Sequence, residues 1–309
     1  MPNKFIDALA QELDQSKRGP LIVNAVERLP WDKVVVPTFA SLYESGLDIL
    51  TAQCRVIKPI FEALYQAPLP ASDLPFPAND VEPLAIMEPF YQEVFALLQL
   101  ALDNNERREI VTCIQGLFVA YSDPKGQNKE GVVFTPDPVV DFMNRSIQEI
   151  LIKHFGVTIS DPGVGMHDPF TGAGIYVYRL LANPELVPTE RLLEKAEEIL
   201  AFELMPVSAY LARLNINLVF RERLGITYDE GKEIVWQGNT FAAYEQIMAG
   251  KHEPTNRVEH RVRKHIEKHA TQSSEPQMAK SMAERDVFSF VTLSLEDFEH
   301  DKDIERTLD

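Results

Sequence analysis

Asp168-Pro169-Phe170-Thr171-Gly172-Ala173-Gly174 decides how this chain is read. The heptapeptide follows a short apolar stretch from Val164 that reads as a strand ending at Asp168. It opens a helical pattern over about Ile175 to Leu181. Glycines in that setting let the backbone approach a ligand with no Cβ in the way, and the helix N-terminus behind them favours a carboxylate or other anion. The third glycine of a dinucleotide fingerprint is absent. Gly-x-Gly alone therefore suits a ligand-free strand-to-helix turn as well as a ligand loop, and the preceding Asp-Pro-Phe-Thr favours the ligand.

Towards the C-terminus the pattern alternates. A charged helix is predicted over about Glu190 to Glu198, then a strand from Ile199 to Phe202 ending at Glu203. A long helix follows over about Pro206 to Arg223, and a strand over about Glu233 to Trp236 ends at Gly238. Strands separated by helical crossovers make a parallel sheet, so the fold class is α/β with a Rossmann-like arrangement. Ligands of such sheets bind beyond the carboxyl ends of the strands. Glu203, about thirty residues after the Gly-rich turn, can accept hydrogen bonds from both hydroxyls of a ribose; an exposed strand-end glutamate is the plainer alternative. In Gly238-Asn239-Thr240-Phe241, Asn239 has an amide that both donates and accepts. It suits an adenine and suits an ordinary turn equally.

Towards the N-terminus, residues 138–155 read as a helix with an apolar face of Val139, Phe142, Met143, Ile147, Ile150 and Leu151. Asp137 is its expected N-cap and Pro138 lies in its first turn. Phe134-Thr135-Pro136 is an extended segment feeding that helix. Residues 1–66 read as helices from apolar spacings at Phe5, Leu9, Leu13, Leu42, Leu47 and Leu50. Residues 67–83 are proline-rich and loop-like, a helical pair follows over about 87–103 and 106–119, and 122–131 read as a polar surface loop. The expected organisation is a helical N-terminal domain at 1–130, an α/β core at 131–246 and a charged, partly ordered tail at 247–309.

Composition is that of a globular chain: 309 residues, 45% hydrophobic and 25% charged. Cys54 and Cys113 make no disulfide framework and stand in no metal-ligand spacing, and no metal site is expected. No apolar run approaches a membrane span, and a cytoplasmic location with no membrane partner is the expectation. The net charge is −17. Residues 1–130 hold 11 basic and 18 acidic side chains, 131–246 hold 9 and 16, and 247–309 hold 10 and 13, so none of these three parts is basic overall. Nucleic-acid affinity rests on Lys and Arg at phosphates, so any DNA contact must use a local patch or a partner. Residues 251–268 mix six Lys or Arg with three His and three Glu, which reads first as a solvated face.

Four segments together resemble successive motifs of the N6-adenine DNA methyltransferases. They are Phe134-Thr-Pro-Asp-Pro-Val-Val-Asp-Phe142, Asp168-Pro-Phe-Thr-Gly-Ala-Gly174, Ala201-Phe-Glu-Leu-Met-Pro206 and Gly238-Asn-Thr-Phe241. Their order is that of the gamma-type enzymes. The likeness is to the methyltransferase region of single-chain type ISP restriction-modification enzymes, with 87–121 resembling the helical coupler ahead of it. The segment 161–168 and the helix through Tyr210, Ala212 and Asn215 also fit, and the whole likeness covers roughly 87–245.

The resemblance implies a Rossmann-like methyltransferase sheet, incomplete in this chain, and S-adenosyl-L-methionine as cofactor. Phe134 and Thr135 would close over it. Asp168, Gly172 and Gly174 would hold its methionine end. Glu203 would take its ribose and Asn239 its adenine, Asn239 standing where the family usually has Asp; Pro136, Pro169, Phe170, Thr171 and Phe241 complete the implied cofactor-binding set. DNA would be reached through a partner subunit, with a protein partner or a second copy implied. The family's catalytic motif, Asn or Asp followed by Pro-Pro and an aromatic, orients the flipped target base. This sequence contains no Pro-Pro and no GxxxxGK[ST], and its catalytic residues are unassigned. Three readings stand open: a methyltransferase component completed by another polypeptide or by a missing segment, an inactive methyltransferase-like interaction or regulatory module, and a methyltransferase for a non-DNA substrate.

Overall fold

The computed structural model describes residues 18–66, 84–122, 135–228 and 234–240. The chain divides into two units, Met1–Gly238 and Asn239–Asp309, of which the second is described only at Asn239 and Thr240. Phe134, Phe241, the proline-rich 67–83, the loop at 123–131 and the tail from 241 onward lie outside the described residues.

The described part of the N-terminal half is helical, with Leu42 and Leu50 in helices and Leu47 between them; Phe5, Leu9 and Leu13 lie outside the described residues. Helix α1 spans Arg18–Glu27, and a π-helical turn at Trp31–Val35 leads straight into α2, Val36–Glu44. Helix α3 runs Ile49–Tyr65, α4 Glu88–Leu100 and α5 Asn104–Ser122. Asp48 starts α3 because its carboxylate accepts the Thr51 amide at 2.9 Å and the Thr51 hydroxyl at 2.6 Å; those two bonds hold its pKa below the usual value. Aromatic rings close the bundle: Trp31 stacks on Tyr121 at 5.3 Å and meets Phe90 edge-on at 5.0 Å, while Phe39 meets Phe118 at 4.9 Å. Arg107 of α5 donates to the carbonyls of Leu98 and Ala63, pinning α5 to the ends of α4 and α3.

Helix α6, Asp137–Ile150, continues as a π-helical turn at Leu151–Phe155 and ends at Gly156 in a left-handed conformation. Next come β1 (Met166–Asp168), α7 (Ile175–Ala182), α8 (Leu192–Glu197), β2 (Ile199–Glu203), α9 (Pro206–Leu224) and β3 (Val235–Gln237). The strands form one parallel sheet in the order β1-β2-β3, with Met166 opposite Ile199 and Glu203 opposite Gln237. The described part of the chain is thus mostly helical with a small parallel sheet, an α/β arrangement. Among the described residues no helix is long and apolar enough to cross a membrane.

Helix α9 joins the two halves. It is buried around most of its circumference from Val207 to Phe220, the behaviour of a helix at the centre of a core. It packs on α7, on β2 and β3, and on α3. There Tyr210 stacks on Phe61 at 6.1 Å, and the Arg221 guanidinium lies 4.5 Å over the Tyr65 ring while donating to the Tyr65 carbonyl. One hydrophobic core therefore runs from Ala25 to Val235.

Two expectations for α6 are corrected. Asp137 is not the N-cap: Pro136 holds that place in extended geometry with no side-chain cap bond, and Asp137 is the first helical residue. Its carboxylate is taken by Arg108 and Arg179, whose charged donors outbid a backbone amide. The apolar face is not uniformly a core face. Val140 and Asn144 are the buried positions of α6, while Val139 is 46%, Phe142 70% and Met143 43% exposed. The helix packs on α7 and buries Val140, with Ile147 and Leu151 against the core, and leaves Val139, Phe142 and Met143 exposed.

Candidate functional site

The three strands deliver Asp168, Glu203 and Gln237 to the same edge of the sheet, their carboxyl ends. The turn after β1 is closed by its own backbone. Thr171 N–H donates to the Phe202 carbonyl at 2.9 Å, which extends the sheet pairing one step, and Gly174 N–H donates back to the Thr171 carbonyl at 2.8 Å. Gly172 and Gly174 both take positive φ, +56° and +75°, where L side chains are strained. The Asn215 amide of α9 donates to the Ala173 carbonyl at 2.7 Å and holds the turn from behind.

The two glycines serve different ends. A Cβ on Gly174 would stand 2.8 Å from Ala212 Cβ and 3.0 Å from Ala212 Cα, so Gly174 lets α7 start directly against α9. Gly172 N–H points to Glu203, donating to Oε2 at 2.8 Å, and Met205 N–H donates to Oε1 at 2.8 Å. Glu203 is thereby fixed beside the turn by two backbone amides. A carboxylate offers about four lone-pair directions, so both oxygens can still accept from a ligand.

Burial pushes the Glu203 carboxyl above its ordinary range. The Met205 and Gly172 amides oppose that shift, and the neighbouring Asp168 charge adds to it. Asp168 keeps some surface as a residue, yet its carboxyl is withdrawn from water and is also pushed up; the Thr171 hydroxyl and the Phe170 amide at 3.3 Å act against the shift. Two carboxyls, both held above the ordinary carboxylate range, stand at the end of one small sheet.

The structure brings Asp168, Thr171, Gly172, Gly174 and Glu203 together. Pro169 is half-buried in the turn and Phe170 is 64% exposed beside it. Gly238 N–H donates to the Glu203 carbonyl at 2.9 Å, so the end of β3 is tied to the end of β2; Asn239, next in sequence, is exposed and begins the second unit. Thr135 and Pro136 are exposed ahead of α6, and their link to the turn runs through Asp137 and Arg179 of α7. Sequence reading missed the Gly172 amide on Glu203 and the Arg108 guanidinium on Asp137, since no local spacing marks partners 31 and 29 residues apart.

No protein-family profile matches the chain, and no curated protein matches it. Among solved structures it is similar to the DrdV–DNA complex determined by cryo-electron microscopy, with a TM-score of 0.56 and 20% identity over 78% of this chain and 26% of that one. It is also similar to the ATP-dependent type ISP restriction-modification enzyme LlaBIII bound to DNA, with a TM-score of 0.49 and 19% identity over 87% of this chain and 20% of that one. A third is a nuclease-deletion mutant of the type ISP restriction-modification enzyme LlaGI in complex with a DNA substrate mimic, with a TM-score of 0.41 and 20% identity over 86% of this chain and 26% of that one. At such identities the first likeness is one of fold, and the chain spans about a quarter of that protein's length.

Proposed function

We propose that this chain is the S-adenosyl-L-methionine-binding part of a DNA adenine-N6 methyltransferase-like protein, of the restriction-modification or phage-defence kind. The observation that carries the reading is Glu203. It is a carboxylate at the carboxyl end of β2, clamped by the Gly172 and Met205 amides beside a turn of two positive-φ glycines. A carboxylate so held suits vicinal hydroxyls, and a glycine with no Cβ leaves room for a chain to lie against the turn. The four-motif resemblance and the fold shared with a DNA-bound protein support the same reading.

The cofactor would supply an electrophilic methyl group. This chain's own residues would do the holding: Glu203 at the ribose, Asp168 and the Thr171–Gly174 backbone at the methionine end, and Thr135 and Pro136 from the α6 side. Asn239 would face the adenine. Orienting an adenine amine requires acceptors that this sequence does not supply in the family's form, since it has no Pro-Pro. Catalysis would therefore need a partner polypeptide or a further segment of chain, which would also bring the basic surface that a chain of charge −17 does not provide overall. The missing Pro-Pro equally favours a second reading, a catalytically inactive module that binds the cofactor or a partner and regulates.

Thermal unfolding with added S-adenosylmethionine tests the reading. A ligand at a hundredfold excess over its Kd stabilises by about 2.7 kcal/mol, and Gly172→Val is expected to abolish that gain. Equal melting with and without the ligand would remove the cofactor from the account. Methyl transfer to an adenine-containing duplex, assayed with and without the product of an adjacent gene, separates the partner-completed enzyme from the inactive module.

A further inference from the structure

Helix α5 belongs to the helical region, yet one of its faces reaches α6, α7 and α9, three of the helices around the candidate site. Asn105, Arg108, Thr112 and Gln115 follow one another at helical spacing and form a polar stripe; Arg108, Thr112 and Gln115 are buried. Arg108 Nη2 donates to Asp137, two residues after Thr135, and to Asn105 Oδ1 at 3.2 Å, while its guanidinium lies 4.6 Å over the Tyr178 ring of α7. Asn105 Oδ1 also accepts from Arg179 Nη1 of α7 at 3.1 Å. Arg179 in turn grips Asp141 of α6 through Nε at 2.7 Å and through Nη2. Further along the stripe, Gln115 Nε2 donates to Ser208 Oγ at 2.8 Å, in the first turn of α9 and five residues past Glu203.

We propose that this stripe of α5 is the positioning element of the candidate site. It sets the Thr135–Pro136 arm, the helix behind the glycine turn and the helix behind Glu203 relative to one another. The proposal rests on the cofactor reading and adds its control: the state of the helical region fixes how well the cofactor site is assembled.

Two physical points carry it. Arg179 forks on Asp141 through Nε and Nη2, which fixes distance and angle, and Arg108 ties Asp137 to Asn105 through one nitrogen; an apolar contact at the same places would let helices slide. Buried ion pairs are poor sources of stability compared with apolar residues of the same volume, so their use here points to geometry. The stripe is also incompletely satisfied: among the described residues Arg108 Nε and Nη1, Thr112 Oγ1 and Gln115 Oε1 have no hydrogen-bond partner. A face built for stability alone would not leave them so. Arg108, Arg179 and Gln115 are thus positioning residues that act through Asp137, α7 and Ser208.

The test compares affinity with stability in the full-length protein. Arg108→Met combined with Gln115→Leu replaces the stripe with apolar groups of similar size. A cooperative melt is expected, at a temperature below that of the wild type because Asp137 keeps only Arg179, with the Kd for S-adenosylmethionine raised about tenfold or more. Tyr91→Phe, which deletes a buried hydrogen bond to the Val56 carbonyl elsewhere in the helical region, is the control and leaves the Kd unchanged. Should the double variant not fold, Arg108→Lys keeps the charge and loses the planar group that reaches Asn105 and Asp137 from over the Tyr178 ring; it is expected to weaken binding roughly threefold. Wild-type affinity in whichever variant folds overturns the proposal while leaving the cofactor reading intact. If the wild-type protein itself gives no binding, the cofactor reading falls and the proposal falls with it.

Discussion

Helices α6 and α9 flank the same site and are covered very differently. Helix α9 carries polar residues at Asn215, Asn217 and Ser208 and is nonetheless buried from Val207 to Phe220. Helix α6 has the cleaner apolar stripe and leaves Val139, Phe142 and Met143 largely in solvent, with Ile152 and Phe155 exposed in the turn that follows. Amphipathicity says which face of a helix gains from burial, and the rest of the fold decides whether a cover is provided. The polar groups of α9 are buried because each has work inside. Asn215 holds the glycine turn, Ser208 accepts from Gln115, and Asn217 accepts from the Tyr228 amide at 2.8 Å.

The largest expected effect lies where α9 meets α7. Gly174→Val forces a side chain into Ala212 and into a positive φ, and is expected to destabilise by about 4 kcal/mol or prevent folding; chemical denaturation with circular dichroism measures it. Leu211→Ala, at a fully buried position of α9, is expected to cost about 3 kcal/mol in the same measurement. On α6, Phe142→Ala is expected to change stability by no more than about 0.5 kcal/mol, because little contact is lost at a side chain 70% exposed. A cost for Phe142→Ala comparable to that of Leu211→Ala would show that α6 is covered in solution and break the contrast.

Acidity sharpens the role of the carboxyls. The folded protein holds the Glu203 proton more tightly than the unfolded chain, whose value is near 4.5. Stability from this group is therefore greatest at low pH and is lost as pH rises from about that value through the raised one. Cofactor affinity should run the other way, falling as pH drops through the raised value, because a protonated Glu203 accepts fewer hydrogen bonds. Glu203→Gln is expected to remove the Glu203 contribution to the stability slope in urea titrations at successive pH values. An unchanged slope would place the titration elsewhere.

The strands and crossover helices around the glycine turn are legible in the sequence because their signals are local. Apolar runs end at Asp168, Glu203 and Gly238, and Pro206 opens a helix as its fixed φ allows. The same locality misleads at Asp137, where an N-cap residue type precedes a helix but two distant arginines claim its carboxylate. Gly174 reads from sequence as a ligand-approach position, and the structure gives it a packing reason in Ala212, 38 residues away and invisible to spacing rules. Pattern places Glu203 at a strand end; its clamp by the Gly172 and Met205 amides exists only in three dimensions.

The central claim is that the Gly172–Glu203 pair forms a methyl-donor site. Calorimetric titration of the full-length protein with S-adenosylmethionine, repeated on Glu203→Ala, tests it most directly. One saturable site is predicted in the wild type, with an affinity lower by about tenfold or more in the variant for the loss of charge-assisted hydrogen bonds. No binding heat in the wild type, or equal affinity in the two proteins, would contradict it.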